Sequence, residues 1–389
     1  WNCVRALDYL QSRNEVAGDR IGVTGRSGGG AYSWWIAAID ERIKVAVPVA
    51  GITSLKNHVV DGCVEGHCDC MYMVNTYRWD YPMVAALIAP RPLLISNTDK
   101  DRIFPLDGVV DVYTRTKKIY QLYDATDQFG LHITEGPHKD TQELRVHAFR
   151  WLNRYLREDD SLITTVATPL FDQSDLKVFT ELPSDEQVTS IHETFVPTVG
   201  TNNLPDDMES ASKLDLATTH LIRQKCFGGW PSVDEQTDAE LITEASTGNT
   251  SVKVIDFTSQ YPYRLRLYLV GPKDRDVDSL ALHVLDETQW TTTLAGLANV
   301  IPDHTCDVIV DAKQWKTIAD TTASQTIAYV TPRGVGPTQW SAEPKKRTQI
   351  RRRFMQLGQT ATGMQTYDIF RSMNALQEFF KNPELAFSL

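Results

Sequence analysis

The sequence has little cysteine, no long apolar run and no excess of positive charge. Six Cys in 389 residues are too few to build a small fold from disulfides. No uninterrupted apolar stretch approaches the roughly 18 residues of a membrane-spanning helix. With 39 Lys+Arg against 50 Asp+Glu the formal net charge is −11 and the pI about 5.3. That balance excludes a general nucleic-acid binder, because phosphate contacts need local positive charge. An initiator Met is also lacking. Trp1 already sits in a helix pattern and Leu389 follows closely on another, so the chain reads as a piece of a longer protein. A missing leader then says nothing about compartment.

What is present is an ordinary globular composition. At 42% hydrophobic and 23% charged, it excludes wholesale disorder and a collagen-like fibre. The length predicts two or three domains. In residues 1–158, Val4, Leu7 and Leu10 fall at helical spacing and predict a helix from Trp1 to Arg13. Short apolar strands are expected at Arg20–Thr24, Lys44–Ala50, Pro92–Asn97 and Gly130–Thr134. A buried helix is expected at Tyr32–Ile39, with further helices at Leu106–Leu122 and Thr141–Leu156. This alternation predicts an α/β domain, a mostly parallel sheet with helices on both faces.

From 159 to 205 the pattern weakens into a connector with two short strand candidates, Leu176–Phe179 and His192–Pro197. A second α/β module is expected over 206–389. It opens with a helix at Asp206–Phe227. Its strand candidates are Val252–Ile255, Tyr263–Val270, Leu280–Leu285 and Thr326–Val330, with helices at Arg347–Gln356 and Gly363–Phe380. Trp1–Leu10 can be laid on Tyr367–Leu376 with aromatic, Arg and Leu positions coinciding. On that repeat, the chain holds the back half of one module and then the front half of another.

The chemistry concentrates in the first module. Gly25-Arg26-Ser27-Gly28-Gly29 is a G-x-S-x-G nucleophile elbow with a strand before it and a helix after it. Glycine at 25 and 29 removes side chains that would collide in so sharp a turn. Ser27 is the candidate nucleophile, and the Gly28 N–H the candidate oxyanion donor. A serine hydroxyl needs a base, and the base needs an orienting acid. In this sheet type the chain order is Ser, acid, His. Asp101 follows the third strand and His138 the fourth, both in loops at C-terminal strand ends, where such sheets gather their sites. Asp99 is the rival acid, and Asp61, Glu65 or Asp69 a third choice.

On Gly25 to Gly30, Asp101-Arg102-Ile103-Phe104-Pro105 and Gly136-Pro137-His138, residues 1–158 resemble the C-terminal part of an α/β-hydrolase catalytic domain. They are similar in particular to bacterial acetyl-xylan-esterase-like and prolyl-oligopeptidase-like serine hydrolases. The resemblance implies Ser27 as nucleophile, Asp101 as acid and His138 as base. It implies cofactor-free cleavage of carboxylic esters, with acetylated polysaccharide as the substrate and a periplasmic or secreted location. The alternatives are a prolyl-oligopeptidase-like peptidase and a non-catalytic hydrolase-like binding or scaffold protein. In the family, several strands precede the elbow, and one loop there supplies a second oxyanion N–H. Those strands are absent ahead of Trp1. Thr326–Thr338 resembles such a strand and its loop but lies in the second module, which has no second G-x-S-x-G. The expectation is either two tandem modules or two halves that complement each other, with an intramolecular contact between them.

Other features carry weaker expectations. His58, Asp61, Cys63, Glu65, His67, Cys68, Asp69 and Cys70 cluster in one loop, but their spacing is not that of a zinc finger. A structural or disulfide loop is expected, or else a loop that faces substrate, and no metal. Of the aromatic run Tyr72, Tyr77, Trp79 and Tyr81, Tyr77 and Trp79 are candidates to stack on a sugar, or else rings that pack a lid. Arg26 and Arg102 are candidates to hold a substrate carboxylate such as a uronate, or else partners in local ion pairs. The partners expected are small-molecule or polysaccharide esters, with no nucleic acid and no membrane.

Overall fold

The structure is a computed structural model and describes residues 1–66, 74–166, 168–195, 205, 207–227, 230–273, 276–305 and 308–388. The chain divides into two compact units, Trp1–Tyr72 with Arg78–Ile222 and Met73–Tyr77 with Arg223–Leu389.

The first unit runs α1 (Asn2–Ser12), β1 (Ile21–Arg26), α2 (Gly28–Ile39), β2 (Ile43–Val49), α3 (Leu55–Val59), α4 (Tyr81–Ala86), β3 (Leu93–Thr98), α5 (Leu106–Leu122), β4 (Phe129–Thr134) and α6 (Gln142–Arg157). The four strands are parallel in the order β1-β2-β3-β4. The central strands β2 and β3 are buried almost throughout, as continuous apolar runs in a two-sided parallel sheet should be. Alternation along β4 separates the two helical layers. Phe129 stacks on Tyr113 and Tyr120 of α5, whereas Gly130 faces Trp151 of α6. Thr141 caps α6 by accepting from Leu144 N–H at 3.3 Å. The apolar stripe of α6, Leu144, Ala148, Trp151 and Leu152, then packs on Val47, Val49 and Leu94.

The helix expected at Tyr32–Ile39 starts earlier, at Gly28, and is not buried end to end. Tyr32 is 57% exposed and Ile39 65%, because only one stripe of a helix can face a sheet. That stripe carries Trp34, which lies edge-on to Tyr81 at 5.4 Å and donates from Nε1 to Gly51 O at 2.7 Å.

The connector holds no strand at Leu176–Phe179. The segment is turn and irregular backbone, with Leu176, Val178 and Phe179 exposed. His192 and Glu193 fall in a 3-10 turn, Ile191–Glu193; Val196 and Pro197 lie outside the described residues. Among the described residues neither segment has a ladder partner, and an extended run without one is not a strand. Farther along is α7 (Met208–Lys225), which buries no side chain.

The second unit continues with β5 (Glu240–Thr247), β6 (Thr250–Gln260), β7 (Tyr263–Pro272), β8 (Ser279–Val284), α8 (Glu287–Leu297), α9 (Ala312–Thr321), β9 (Ile327–Val330), α10 (Pro344–Gln356), α11 (Ala361–Phe380) and β10 (Ala386–Ser388). Its sheet is mixed, in the order β10-β8-β9-β7-β6-β5. β5, β6, β7 and β9 pair antiparallel, while β8 pairs parallel with β9 and β10. Both faces are filled. Val252, Val254 and Val270 meet Trp290, Leu297 and Ile318, and the alternate residues Ile255, Phe257 and Leu267 meet Ala375 and Leu376. Sequence reading missed β5, α8, α9 and β10.

The proposed repeat falls on α1 and α11, each followed by a strand at the edge of its own sheet. Their burial differs. In α1 only Leu7 is buried. In α11 Arg371 is buried and donates to the carbonyls of Ser259, Val233 and Glu235. Beside it Asp368 accepts from Arg333 Nε at 2.9 Å and Nη2 at 2.8 Å, with both side chains nearly inaccessible.

Candidate active site

Ser27 stands between β1 and α2. Its φ of 58° and ψ of −117° place it in a region that costs a non-glycine residue roughly 1–3 kcal/mol. Neighbouring bonds hold it there. Ser27 N–H donates to Val49 O, and Ala31 N–H to Ser27 O, each at 2.9 Å. The Gly28 N–H, first in the helix, makes no hydrogen bond among the described residues.

The glycines divide differently from the expectation. A Cβ on Gly25 would lie 2.6 Å from Gly29 C, so that position does require glycine. A Cβ on Gly29 would meet nothing within 4 Å. The second required position is Gly30, where a Cβ would lie 2.6 Å from Val49 O. Gly51 faces it, and a Cβ there would lie 2.4 Å from Gly30 C. The helix start therefore rests on backbone beyond β2, and the motif spacing alone did not reveal this.

Asp101 and His138 meet. The Asp101 side chain is fully buried, and Oδ1 accepts from Ile103 N–H at 2.8 Å and Phe104 N–H at 2.9 Å. Oδ2 lies 2.7 Å from His138 Nδ1. A carboxylate accepts, so Nδ1 carries the proton and neutral His138 keeps Nε2 as its basic nitrogen. The imidazole stacks on buried Phe104 at 5.8 Å and is 18% exposed.

The rival acids have other partners. Asp99 Oδ1 accepts from Gly136 N–H at 2.8 Å, while Lys100 N–H donates to Gly136 O at 3.0 Å. Asp99 thus ties down the loop that carries His138. Asp61 accepts from Asn57 Nδ2 at 2.8 Å, Glu65 lies in the 3-10 turn Cys63–Gly66, and Asp69 lies outside the described residues. Among the described residues no hydrogen bond joins the half-buried Ser27 hydroxyl to His138. Such bonds are often long before substrate binds.

Arg26 and Arg102 are exposed and form no ion pair among the described residues, so the local salt bridges weighed for them are absent there. Trp79 falls in the first unit; Tyr77, 75% exposed, falls in the second. Tyr81 is core. His67, Cys68, Asp69, Cys70 and Tyr72 lie outside the described residues. Cys63 is a buried free thiol, pushed up to about 11 by burial and by the nearby carboxylates of Asp61, Asp107 and Asp101. In the second unit, the loop resembling an oxyanion loop has its N–H groups engaged. Arg333 N–H donates to Asp368, Gly334 N–H to Thr338 Oγ1 and Gly336 N–H to Glu287.

Comparison with known proteins bears on the first unit. Residues 2–157 match the Prolyl oligopeptidase family. A Bacillus subtilis (strain 168) protein named as the hydrolase YtaP is 33% identical over 159 residues, 40% of this chain and 52% of that protein. The chain thus spans about half the length of the curated relative it matches. Among solved structures, a glucuronoyl esterase from Solibacter usitatus is 19% identical, with a TM-score of 0.34 over 39% of this chain and 47% of that one. The glucuronoyl esterase catalytic domain from Hypocrea jecorina is also 19% identical, with a TM-score of 0.34 over 47% and 57%. Likeness at that level leaves the assignment to the sheet topology and the family match. On those two grounds residues 2–157 have an α/β-hydrolase fold and are similar to the prolyl oligopeptidase family.

Proposed function

We propose that the protein is a serine esterase in which Ser27, His138 and Asp101 act in turn. His138 Nε2 takes the proton as Ser27 attacks an ester carbonyl. Asp101 holds the ring and stabilises the imidazolium that forms. The Gly28 N–H and a second donor hold the oxyanion. The alcohol leaves with the proton from His138, and water activated by the same imidazole releases the acid. The observation that carries this reading is the 2.7 Å contact between Asp101 Oδ2 and His138 Nδ1, on loops after successive strands of a sheet whose first strand ends at Arg26, next to Ser27.

The substrate class is an acetyl or similar ester on a polysaccharide, as the sequence resemblance implies, with Arg26 and Arg102 free to meet a carboxylate on the sugar. Residues 206–389 are the front half of a second hydrolase-like module in this reading. The experiment is fluorophosphonate labelling together with acetate release from acetylated xylan. Both should be lost in Ser27→Ala; labelling that persists in that variant rejects Ser27 as nucleophile. A peptidase is the second reading, favoured by the family that residues 2–157 match. Turnover of an acyl ester but not of a peptide amide of similar size excludes it.

A further inference from the structure

Two loops carry the acid and the base, and both are tied to the end of one strand. Asn97 and Thr98 are the last residues of β3, and each is buried with almost no accessible surface. Asn97 serves the acid side. Its Nδ2 donates to Phe104 O and to Thr98 O, each at 3.0 Å, which closes the loop that holds Asp101. Thr98 serves the base side. Its hydroxyl donates to Pro137 O at 3.0 Å, in the loop that holds His138.

The bond on the base side has no substitute. Asp99 N–H donates to Thr134 O, Lys100 N–H donates to Gly136 O, and Asp99 Oδ1 accepts from Gly136 N–H. These bonds stop at Gly136. Its φ of 138° is a conformation that glycine adopts freely, so the chain can pivot there. Pro137 has no N–H to offer. At Pro137 and His138 the main chain makes no other hydrogen bond among the described residues. The Thr98 hydroxyl is therefore what fixes the peptide between Pro137 and His138. Thr98 is shut off from solvent, so no water would replace the bond if it were lost. The imidazole itself has two further holds, the 2.7 Å contact with Asp101 and the stack on Phe104 at 5.8 Å.

We propose that Thr98 is a positioning residue: its hydroxyl, through the carbonyl of Pro137, sets where the His138 imidazole meets Asp101. Being wholly buried, it touches neither substrate nor the reacting atoms. Its effect on turnover rests on the Ser27 reading proposed above. Its effect on the imidazole does not.

The experiment reads the imidazole directly, in the full chain, by long-range ¹H–¹⁵N spectra at alkaline pH, with His138→Gln assigning the signals. The parent should hold the proton on Nδ1, as the contact with Asp101 requires. Thr98→Val has the shape of threonine without the hydroxyl and should show the proton shared between Nδ1 and Nε2. Thr98→Ser restores the hydroxyl and should return the parental spectrum. Ester turnover gives a second readout. In Thr98→Val kcat should fall roughly ten- to a hundredfold with KM near that of the parent, and in Thr98→Ser it should recover. Thr116→Val is the control. It removes another buried hydroxyl bond, to Pro82 O at 3.3 Å, and should lose stability without moving either readout. Thr98→Cys, with only a weak donor in place of the hydroxyl, carries the same expectations if Thr98→Val fails to fold. A parental spectrum in Thr98→Val, or a spectrum altered equally in Thr116→Val, overturns the proposal. Turnover that persists in Ser27→Ala overturns the Ser27 reading instead and leaves the spectral test standing.

Discussion

Asp101 divides its two oxygens between two tasks. Oδ1 ties down the backbone of Ile103 and Phe104, and Oδ2 meets His138 Nδ1 at 2.7 Å. Asp101→Asn keeps an oxygen for the first task and loses the carboxylate charge for the second. Ester turnover should fall on the order of 10⁴-fold while the fold persists. Asp99→Asn keeps the bond from Gly136 and should leave turnover near that of the parent. Steady-state hydrolysis by both variants, alongside their thermal midpoints, checks the pair; equal losses would assign the orienting role to neither acid alone.

The elbow glycines should respond in opposite directions. Gly29→Ala adds a methyl in open space on a helix and should stabilise by up to about 1 kcal/mol. Gly30→Ala drives a methyl against Val49 O and should destabilise by about 1–3 kcal/mol or more. Urea unfolding of the two variants measures both signs.

His132 predicts an acid-side slope in stability. Its folded value, about 4, lies below the ordinary 6.5, chiefly through burial. The unfolded chain therefore binds the extra proton first. Stability should fall as pH drops from about 6.5 to about 4 and level off below. The group is only half-buried, so screening reduces the effect to about 1–2 kcal/mol. Unfolding free energies across that range should flatten in His132→Gln.

In the second unit, Arg333→Ala strands the buried Asp368 carboxylate. Loss of one partner from such a pair costs about 3–5 kcal/mol. A calorimetric transition assigned to residues 223–389 should move down sharply in this variant and stay in place for Arg264→Ala, whose ion pair is half-exposed.

What the sequence made legible depended on period and order. The first sheet was readable because its strands are short apolar runs buried on both faces, and the Ser-Asp-His candidates followed from chain order. β5 was missed because it is an edge strand with mostly exposed residues, so it carries no apolar alternation. The threonine-rich helices α8 and α9 were missed because Thr is a poor helix signal, although Asp286 and Gln289 form a full capping box that could have marked the first. The strand candidates at 176–179 and 192–195 had the right composition and, among the described residues, no neighbour to pair with. The choice between Asp99 and Asp101 could not come from spacing, because a single residue, Lys100, separates them and only a folded loop turns one of them toward His138.

The approach of Gly30 to Gly51 has a mechanical consequence. Where side chains form a contact, rotamers can yield and absorb a small displacement. Here two stretches of main chain touch with nothing between them, so the seat of α2 has almost no compliance. The height of Ser27 above the sheet is then set by a hard stop, and repacking of the surrounding apolar side chains should leave it nearly unchanged.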